Sequence, residues 1–164
     1  SEIGDFCIKH FHQKKIATVI KHIPGHGLAK VDSHKLTPRV KAKHSVLLKN
    51  DFFAFKKKKS LMGMTAHIIY EDIDSINTAT HSKAIIQIIR KSIKFKNILI
   101  SDDISMRGLK YSISQNTVKA FSAGCNLVLH CNGKYKEMII VAKNSPVISK
   151  FIFKKTSQLY KILS

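Results

Sequence analysis

The chain has 164 residues, 44% hydrophobic and 8% aromatic, which is long and apolar enough to bury the core of one ordinary domain spanning residues 1–164. This composition excludes a disordered chain, and no apolar run approaches the roughly 20 residues of a membrane-spanning helix, so we expect no membrane partner. The formal net charge of +19 comes mainly from lysines scattered along the chain, a pattern that argues against a specific nucleic-acid partner.

The first segment, residues 2–14, has the apolar spacing of an amphipathic helix. Residues 1–11 contain no apolar signal segment behind a basic leader, and the expected location is therefore the cytoplasm. The three cysteines lack a CxxC pair, which favours buried free thiols over a metal site. The lysine run 56–59 is interpreted as a solvated helix end.

Further along, four short apolar runs alternate with longer segments of helical periodicity. Alternation of strand and helix predicts an α/β fold with parallel strands and right-handed crossovers. The predicted strands are residues 16–20, 61–66, 98–100 and 127–129. The predicted helices that follow the first are residues 45–57, 82–93, 115–123 and 135–143, with a closing helix beyond residue 145.

Each predicted strand ends in polar residues. The carboxyl ends of parallel strands converge on one face of the fold, so these residues are expected to lie close together. A polar residue after a strand is also a common helix cap, and each of them has that alternative interpretation. The residues in question are Lys21 and His22, His67, Ser101 to Asp103, and His130.

The richest polar stretch is residues 21–27, Lys-His-Ile-Pro-Gly-His-Gly, followed by Asp32 and His34. Its proline and glycines exclude a helix, so His22 and His26 cannot form a metal-binding pair at helical spacing, and no metal is expected. A carboxylate two residues from an imidazole can fix its tautomer and raise its pKa, as a general acid/base requires. An ordinary turn at Asp32 and His34 is the alternative.

A second polar stretch places adjacent carboxylates, Asp102 and Asp103, just after the third apolar run. One of the two can face the mouth of the fold as a nucleophile while the other caps the following helix.

Together these motifs resemble glycoside hydrolase family 3, specifically the bacterial β-N-acetylglucosaminidases of peptidoglycan recycling. Residues 21–27 and 32–34 match the family's Lys-His-Phe-Pro-Gly-His-Gly loop and its Asp-Ser-His. Residues 64–70 look like the family's next strand, residues 101–106 like the strand that carries its nucleophile, and residues 123–129 like the strand after that.

The resemblance implies Asp102 as nucleophile, His34 as acid/base oriented by Asp32, and Lys21 and His22 as ligands of the sugar hydroxyls. It implies hydrolysis of β-linked N-acetylglucosamine from muropeptides by a retaining double displacement, without cofactor or metal. The sequence departs from the family pattern at a few positions, where loop geometry is expected to weaken more than chemistry. These positions are Ile23, Thr78, His81, Asn97 and Asn126.

A complete (β/α)8 barrel takes about 250 residues, and this chain matches about the last four strand-helix units. The expected fold is therefore a partial TIM barrel, the C-terminal half of a catalytic domain. Three hypotheses follow. A separate N-terminal half-barrel chain completes the enzyme; the chain is an inactive remnant of such an enzyme; or it is a basic protein that binds nucleic acid or another polyanion.

Overall fold

The computed structural model describes residues 2–31 and 36–164, which alternate between strands and helices along the chain. Four strands form one parallel sheet in the order β1-β3-β5-β6, and two short strands form a second parallel pair, β2-β4. The strands are β1 Val19–Ile23, β2 Arg39–Val40, β3 Met62–Thr65, β4 Ile69–Tyr70, β5 Ile98–Asp103 and β6 Leu127–Leu129. The predicted α/β class is confirmed, whereas the β2-β4 pair was not predicted.

Six α-helices and one 3-10 helix are described. The α-helices are α1 Glu2–Gln13, α2 His44–Lys49, α3 Lys83–Lys91, α4 Ile113–Ala123, α5 Tyr135–Asn144 and α6 Lys150–Leu163, and the 3-10 helix is Phe52–Phe55. Among these helices, none has both the length and the apolar character that crossing a membrane requires.

The best predicted helices, α3 and α4, carry their own start signals. The Ser82 hydroxyl accepts the Ile85 amide at 3.3 Å, and Ser112 forms a reciprocal capping box with Gln115. Helix α4 is followed by Gly124, whose φ of 115° is a left-handed conformation that favours glycine.

The core lies between α3 and the central strands of the sheet. Ile85 and Ile89 on α3 are fully buried and belong to one cluster with Leu99 of β5 and with Phe95, which lies between α3 and β5. Burial of each such side chain stabilises the fold by roughly 1.5–3 kcal/mol. This packing holds the central strands β3 and β5, and β5 carries Asp102 near its carboxyl end.

Three predicted boundaries were wrong. The first strand begins at Val19 and includes Lys21 and His22, and β5 extends through Asp103, because a parallel strand tolerates polar residues at its carboxyl end. The helix predicted over residues 45–57 ends at Lys49, since the backbone of Asn50 leaves the helical region at φ −114° and ψ −83°.

Two predictions about burial were also wrong. Cys125 is a buried free thiol as predicted, but Cys7 and Cys131 are exposed. In the lysine run, Lys58 is 8% exposed rather than solvated, because its ammonium group lies 2.6 Å from the Asp5 carboxylate of α1.

Candidate active site at the strand ends

The carboxyl ends of β1 and β5 bring an imidazole and a carboxylate together. His22 Nε2 of β1 lies 3.5 Å from Asp102 Oδ2 of β5, although the two residues are 80 positions apart in the sequence. The pairing of β1 with β3 shifts register between Lys21 and Ile23, so His22 occupies an irregularity of the strand. Bulges of this kind redirect a side chain, and here the redirected side chain meets Asp102.

The surroundings of His22 favour its neutral form. Burial lowers the pKa of His22 and outweighs the attraction of Asp102, and the nearby basic groups of His26 and Lys21 lower it further. The His22 side chain is 27% exposed and that of Asp102 14%, so both groups remain accessible to a small ligand. A neutral imidazole beside a carboxylate can donate to that carboxylate or to a hydroxyl group of a ligand.

Asp103 has a different role from its neighbour. Its Oδ1 accepts the Ser105 amide at 3.0 Å and the Cys131 amide at 3.2 Å, and its carboxylate also accepts the Ser105 hydroxyl. Asp103 therefore holds a turn against the segment after β6. The prediction that one carboxylate caps the following helix was wrong, because α4 is capped by Ser112.

His67, just after β3, holds the carboxyl end of β5 through a hydrogen bond to its backbone. Its Nε2 donates to the Asp103 carbonyl at 3.0 Å, so in the neutral ring Nδ1 accepts from the Thr80 hydroxyl at 2.8 Å. The Thr80 oxygen in turn lies 2.9 Å from the Thr65 hydroxyl. This buried network fixes the backbone next to Asp102.

The loop after β1 is held from two sides. The Gly27 amide donates to Asp51 Oδ1 at 3.1 Å, and the Tyr70 hydroxyl donates to the Gly25 carbonyl. The loop carries His26, whose ring centroid lies 5.3 Å from that of His22. The anchored loop thus places the His26 ring beside the His22 ring.

The structure brings together some of the predicted site residues. His22 and Asp102 meet, and Lys21 precedes His22 in β1 with an exposed side chain. Asp32 and His34, the predicted acid/base pair, lie outside the described residues. His130, the last of the predicted strand-end residues, lies 3.0 Å from Glu137 of α5 rather than at the His22 and Asp102 pair.

Sequence reasoning missed Asp51, Tyr70 and Thr80. Asp51 lies in a segment predicted as helix, so its side chain had no assigned target. The signal that points to it is Gly25, since a glycine in a stiff loop often marks the close approach of another group.

Within residues 2–31 and 36–164, no three His, Cys, Asp or Glu side chains are grouped so that they could hold a metal ion. A cavity of about 660 Å³ lies elsewhere, between α1 and Lys57 and Lys59 before β3. None of its lining residues belongs to the His22 and Asp102 pair, and the lining includes the Asp5 that pairs with Lys58.

Comparison with known proteins matches the chain to one family of glycoside hydrolases. The sequence profile described as "Glycosyl hydrolase family 3 N terminal domain" matches residues 1–160. A β-hexosaminidase of Mannheimia succiniciproducens is 37% identical over 132 residues, which cover 76% of this chain and 38% of that protein. The chain thus spans well under half the length of this relative.

Two solved structures share the fold. A family 3 β-N-acetylglucosaminidase from Paenibacillus superposes with a TM-score of 0.79 at 21% identity, covering 94% of this chain and 32% of its own. NagZ from Neisseria gonorrhoeae, solved with N-trifluoroacetyl-D-glucosamine, superposes with a TM-score of 0.74 at 26% identity. The match covers 87% of this chain and 42% of NagZ. The parallel sheet described above is thus similar to part of the barrel in both proteins.

Proposed function

The chain belongs to glycosyl hydrolase family 3, and from this membership we infer that it supplies the reacting half of a retaining β-N-acetylglucosaminidase. The observation that carries the proposal is the 3.5 Å approach of His22 Nε2 to Asp102 Oδ2 at the strand ends. A carboxylate with a neutral imidazole beside it can attack a carbon centre while the imidazole binds the neighbouring hydroxyls.

In the proposed mechanism Asp102 is the nucleophile. Its carboxylate attacks the anomeric carbon and forms a glycosyl ester as the bond to the leaving oxygen breaks, and His34, oriented by Asp32, donates a proton to that oxygen. His34 then takes a proton from water, which attacks the anomeric carbon and releases Asp102. Both steps invert the carbon, so the product retains the β configuration.

Lys21 and His22 are proposed to hold the sugar hydroxyls. The lowered pKa of His22 supports this role, because a neutral ring can bind a hydroxyl without repelling the neighbouring Lys21 ammonium group. Such contacts fix the anomeric carbon close to Asp102, which converts the attack into an intramolecular step.

The proposed substrate is a muropeptide with β-linked N-acetylglucosamine, handled in the cytoplasm during peptidoglycan recycling. The similarity to a β-hexosaminidase and to a structure bound to an N-acylated glucosamine supports the sugar. The chemistry requires a carboxylate, an imidazole and water, and the proposal includes no cofactor.

The rest of the barrel is the proposed partner. In the described sheet β1 and β6 form the two ends, and α1 presents Ile3, Phe6 and Phe11 at 80%, 61% and 49% exposure. In a closed barrel each edge strand pairs with another strand, and exposed apolar helix faces of this kind are covered. We propose that an N-terminal half-barrel chain packs against them and completes the sugar site.

The test is hydrolysis of an aryl β-N-acetylglucosaminide by the chain alone and with a candidate N-terminal half. We expect little turnover alone, clear turnover with the partner, and a loss on the order of 10⁴-fold in Asp102→Ala. Asp103→Asn, which changes the neighbouring carboxylate, is the control for a general loss of structure. If the folded assembly hydrolyses no substrate, the chain is an inactive remnant.

The polyanion-binding alternative predicts a different result. A basic protein with no hydrolytic role would bind a polynucleotide with an affinity that falls steeply as salt is added, and Asp102→Ala would leave that binding unchanged. Absence of hydrolysis together with such binding would replace the glycosidase proposal.

A further inference from the structure

We propose that Asp51 is a positioning residue, whose carboxylate sets the place of the loop of residues 24–27 and through it the place of His22. The inference rests on the proposed function for its kinetic consequence, whereas its structural consequence can be measured in the chain itself.

The fit between Asp51 and the loop is close. Asp51 Oδ1 accepts the Gly27 amide at 3.1 Å. A Cβ atom added at Gly25 would lie 2.4 Å from Asp51 Cγ and 2.5 Å from its Oδ2, which is shorter than non-bonded atoms allow. The carboxylate therefore occupies the space that any side chain at residue 25 would need.

Asp51 is itself firmly placed. It precedes Phe52, which is 1% exposed and packs edge-on against the buried Tyr70 ring with centroids 5.2 Å apart. The Tyr70 hydroxyl donates to the Gly25 carbonyl, so the groups that hold the loop belong to one packed unit. Movement of the loop would require Asp51, Phe52 or Tyr70 to shift.

The carboxylate stays in this place against an electrostatic cost. Burial raises the pKa of Asp51, while the Gly27 amide, His26 and the Leu28 amide lower it. Its Oδ2 is buried without a hydrogen-bond partner among the described residues. We assign the hold on the loop to the shape of this side chain and to its Oδ1 acceptor, since burial opposes the charged form.

The loop passes the constraint on to the candidate active site. His26 lies between Gly25 and Gly27, and its ring is 5.3 Å from the His22 ring. Burial is the main cause of the lowered pKa of His22. A loop that moves away would expose His22 to water, and its pKa would then rise toward 6.5.

The experiment compares Asp51→Ala, Asp51→Glu and Asp51→Asn with the matched control Asp72→Ala. Asp72 also accepts a backbone amide, that of His44 at 2.9 Å, but it does not contact the loop. Two readouts by nuclear magnetic resonance, hydrogen exchange of the Gly27 amide and the titration of the His22 ring, use the chain itself. The third is kcat and KM for an aryl β-N-acetylglucosaminide in the completed barrel.

For Asp51→Ala and Asp51→Glu we expect at least about tenfold faster exchange at Gly27, because the amide loses its acceptor or the longer side chain collides with Gly25. The His22 pKa should rise in both, and kcat/KM should fall about tenfold or more. Asp51→Asn keeps the shape and the acceptor and should stay within about threefold of the parent chain. Asp72→Ala should leave all three readouts unchanged.

Parent-like Gly27 exchange and His22 titration in a folded Asp51→Glu chain would overturn the proposal, whether or not Asp51→Ala folds. Faster Gly27 exchange together with a raised His22 pKa in Asp51→Asn would also overturn it, because the charge of Asp51 would then be the deciding property. If the parent assembly hydrolyses nothing while Gly27 and His22 still respond to Asp51→Glu, the proposed function fails and the positioning role stands.

Discussion

The central strands of the sheet and its two end strands are packed differently, and the candidate active site draws on both. In β5 the side chain of Leu99 is fully buried between neighbouring strands and α3, whereas Val19 of the end strand β1 is 39% exposed. Asp102 belongs to the central strand and His22 to the end strand. Asp102 is thus held by neighbouring strands on both sides, and His22 by a neighbouring strand on one side only.

This difference explains why the loop after β1 needs its own anchors. The end of β5 is supported by neighbouring strands and by His67, which donates to the Asp103 carbonyl. The end of β1 has β3 on one side, and Asp51 and Tyr70 hold the loop that follows it. Completing the barrel should therefore stiffen His22 more than Asp102.

The largest expected effect comes from removing a central core side chain. Leu99→Ala should lower the free energy of unfolding by about 4 kcal/mol, since the closely packed neighbours cannot fill the cavity. Val19→Ala on the end strand should cost less than about 1 kcal/mol. Urea unfolding of both variants measures the difference, and equal losses would show that the end strand is packed as well as the centre.

The imidazole of His81, just before α3, tests whether water reaches the buried ring. Burial lowers the pKa of His81 to about 4, below the roughly 6.5 of an unfolded chain. The unfolded state therefore binds the proton more readily, and stability should fall by about 3 kcal/mol as the pH drops from about 6.5 to 4.

His81→Leu should remove this part of the pH dependence in urea unfolding. His10→Gln on the exposed face of α1 serves as its control. An unchanged pH profile in His81→Leu would mean that water reaches the ring.

The contribution of the His67 network to the free energy of unfolding can be measured by substituting two threonines, one inside the network and one outside it. Thr80→Val leaves His67 Nδ1 and the Thr65 hydroxyl without the partner that the structure gives them, at a cost of about 2 kcal/mol. Thr78→Val is the matched control, because the buried Thr78 hydroxyl has no hydrogen-bond partner among the described residues. Similar unfolding free energies for the two variants would contradict the account of the network.

The smallest effect on stability is expected at the exposed face of α1. Phe6→Ser should change the free energy of unfolding by less than about 0.5 kcal/mol, because this ring is 61% exposed. It should instead weaken binding of an N-terminal half, measured by analytical ultracentrifugation. Ile8→Ser, on the buried face of the same helix, is the contrasting variant and should destabilise the fold.

Much of the fold could be predicted because its helices and strands follow local rules. The spacing of Ile85, Ile88 and Ile89 identified α3, and α4 lay within two residues of its predicted start. Strand ends were harder to predict, because the polar residues His22 and Asp102 still belong to their strands, near the carboxyl ends, although polarity there was taken to mark the end of each strand. Periodicity alone does not show how far a strand continues into polar residues.

The candidate site was predictable where a motif carries its chemistry and not where contacts join distant residues. Asp102 and His22 belong to motifs, and their proximity followed from the convergence of parallel strands. Asp51 reaches Gly27 across 24 positions and Thr80 reaches His67 across 13, and no local pattern marks either contact. The exposure of Cys7 and Cys131 likewise depends on neighbours that the sequence does not name.

The most direct test of the central claim is to find which residue forms the covalent glycosyl intermediate. A 5-fluoro N-acetylglucosaminyl fluoride has a good leaving group and slows hydrolysis of the ester, so the intermediate accumulates in the completed barrel. Peptide mapping by mass spectrometry should then place one sugar on Asp102. An adduct on Asp103 or on another residue, or parent-level turnover in Asp102→Ala, would contradict the account.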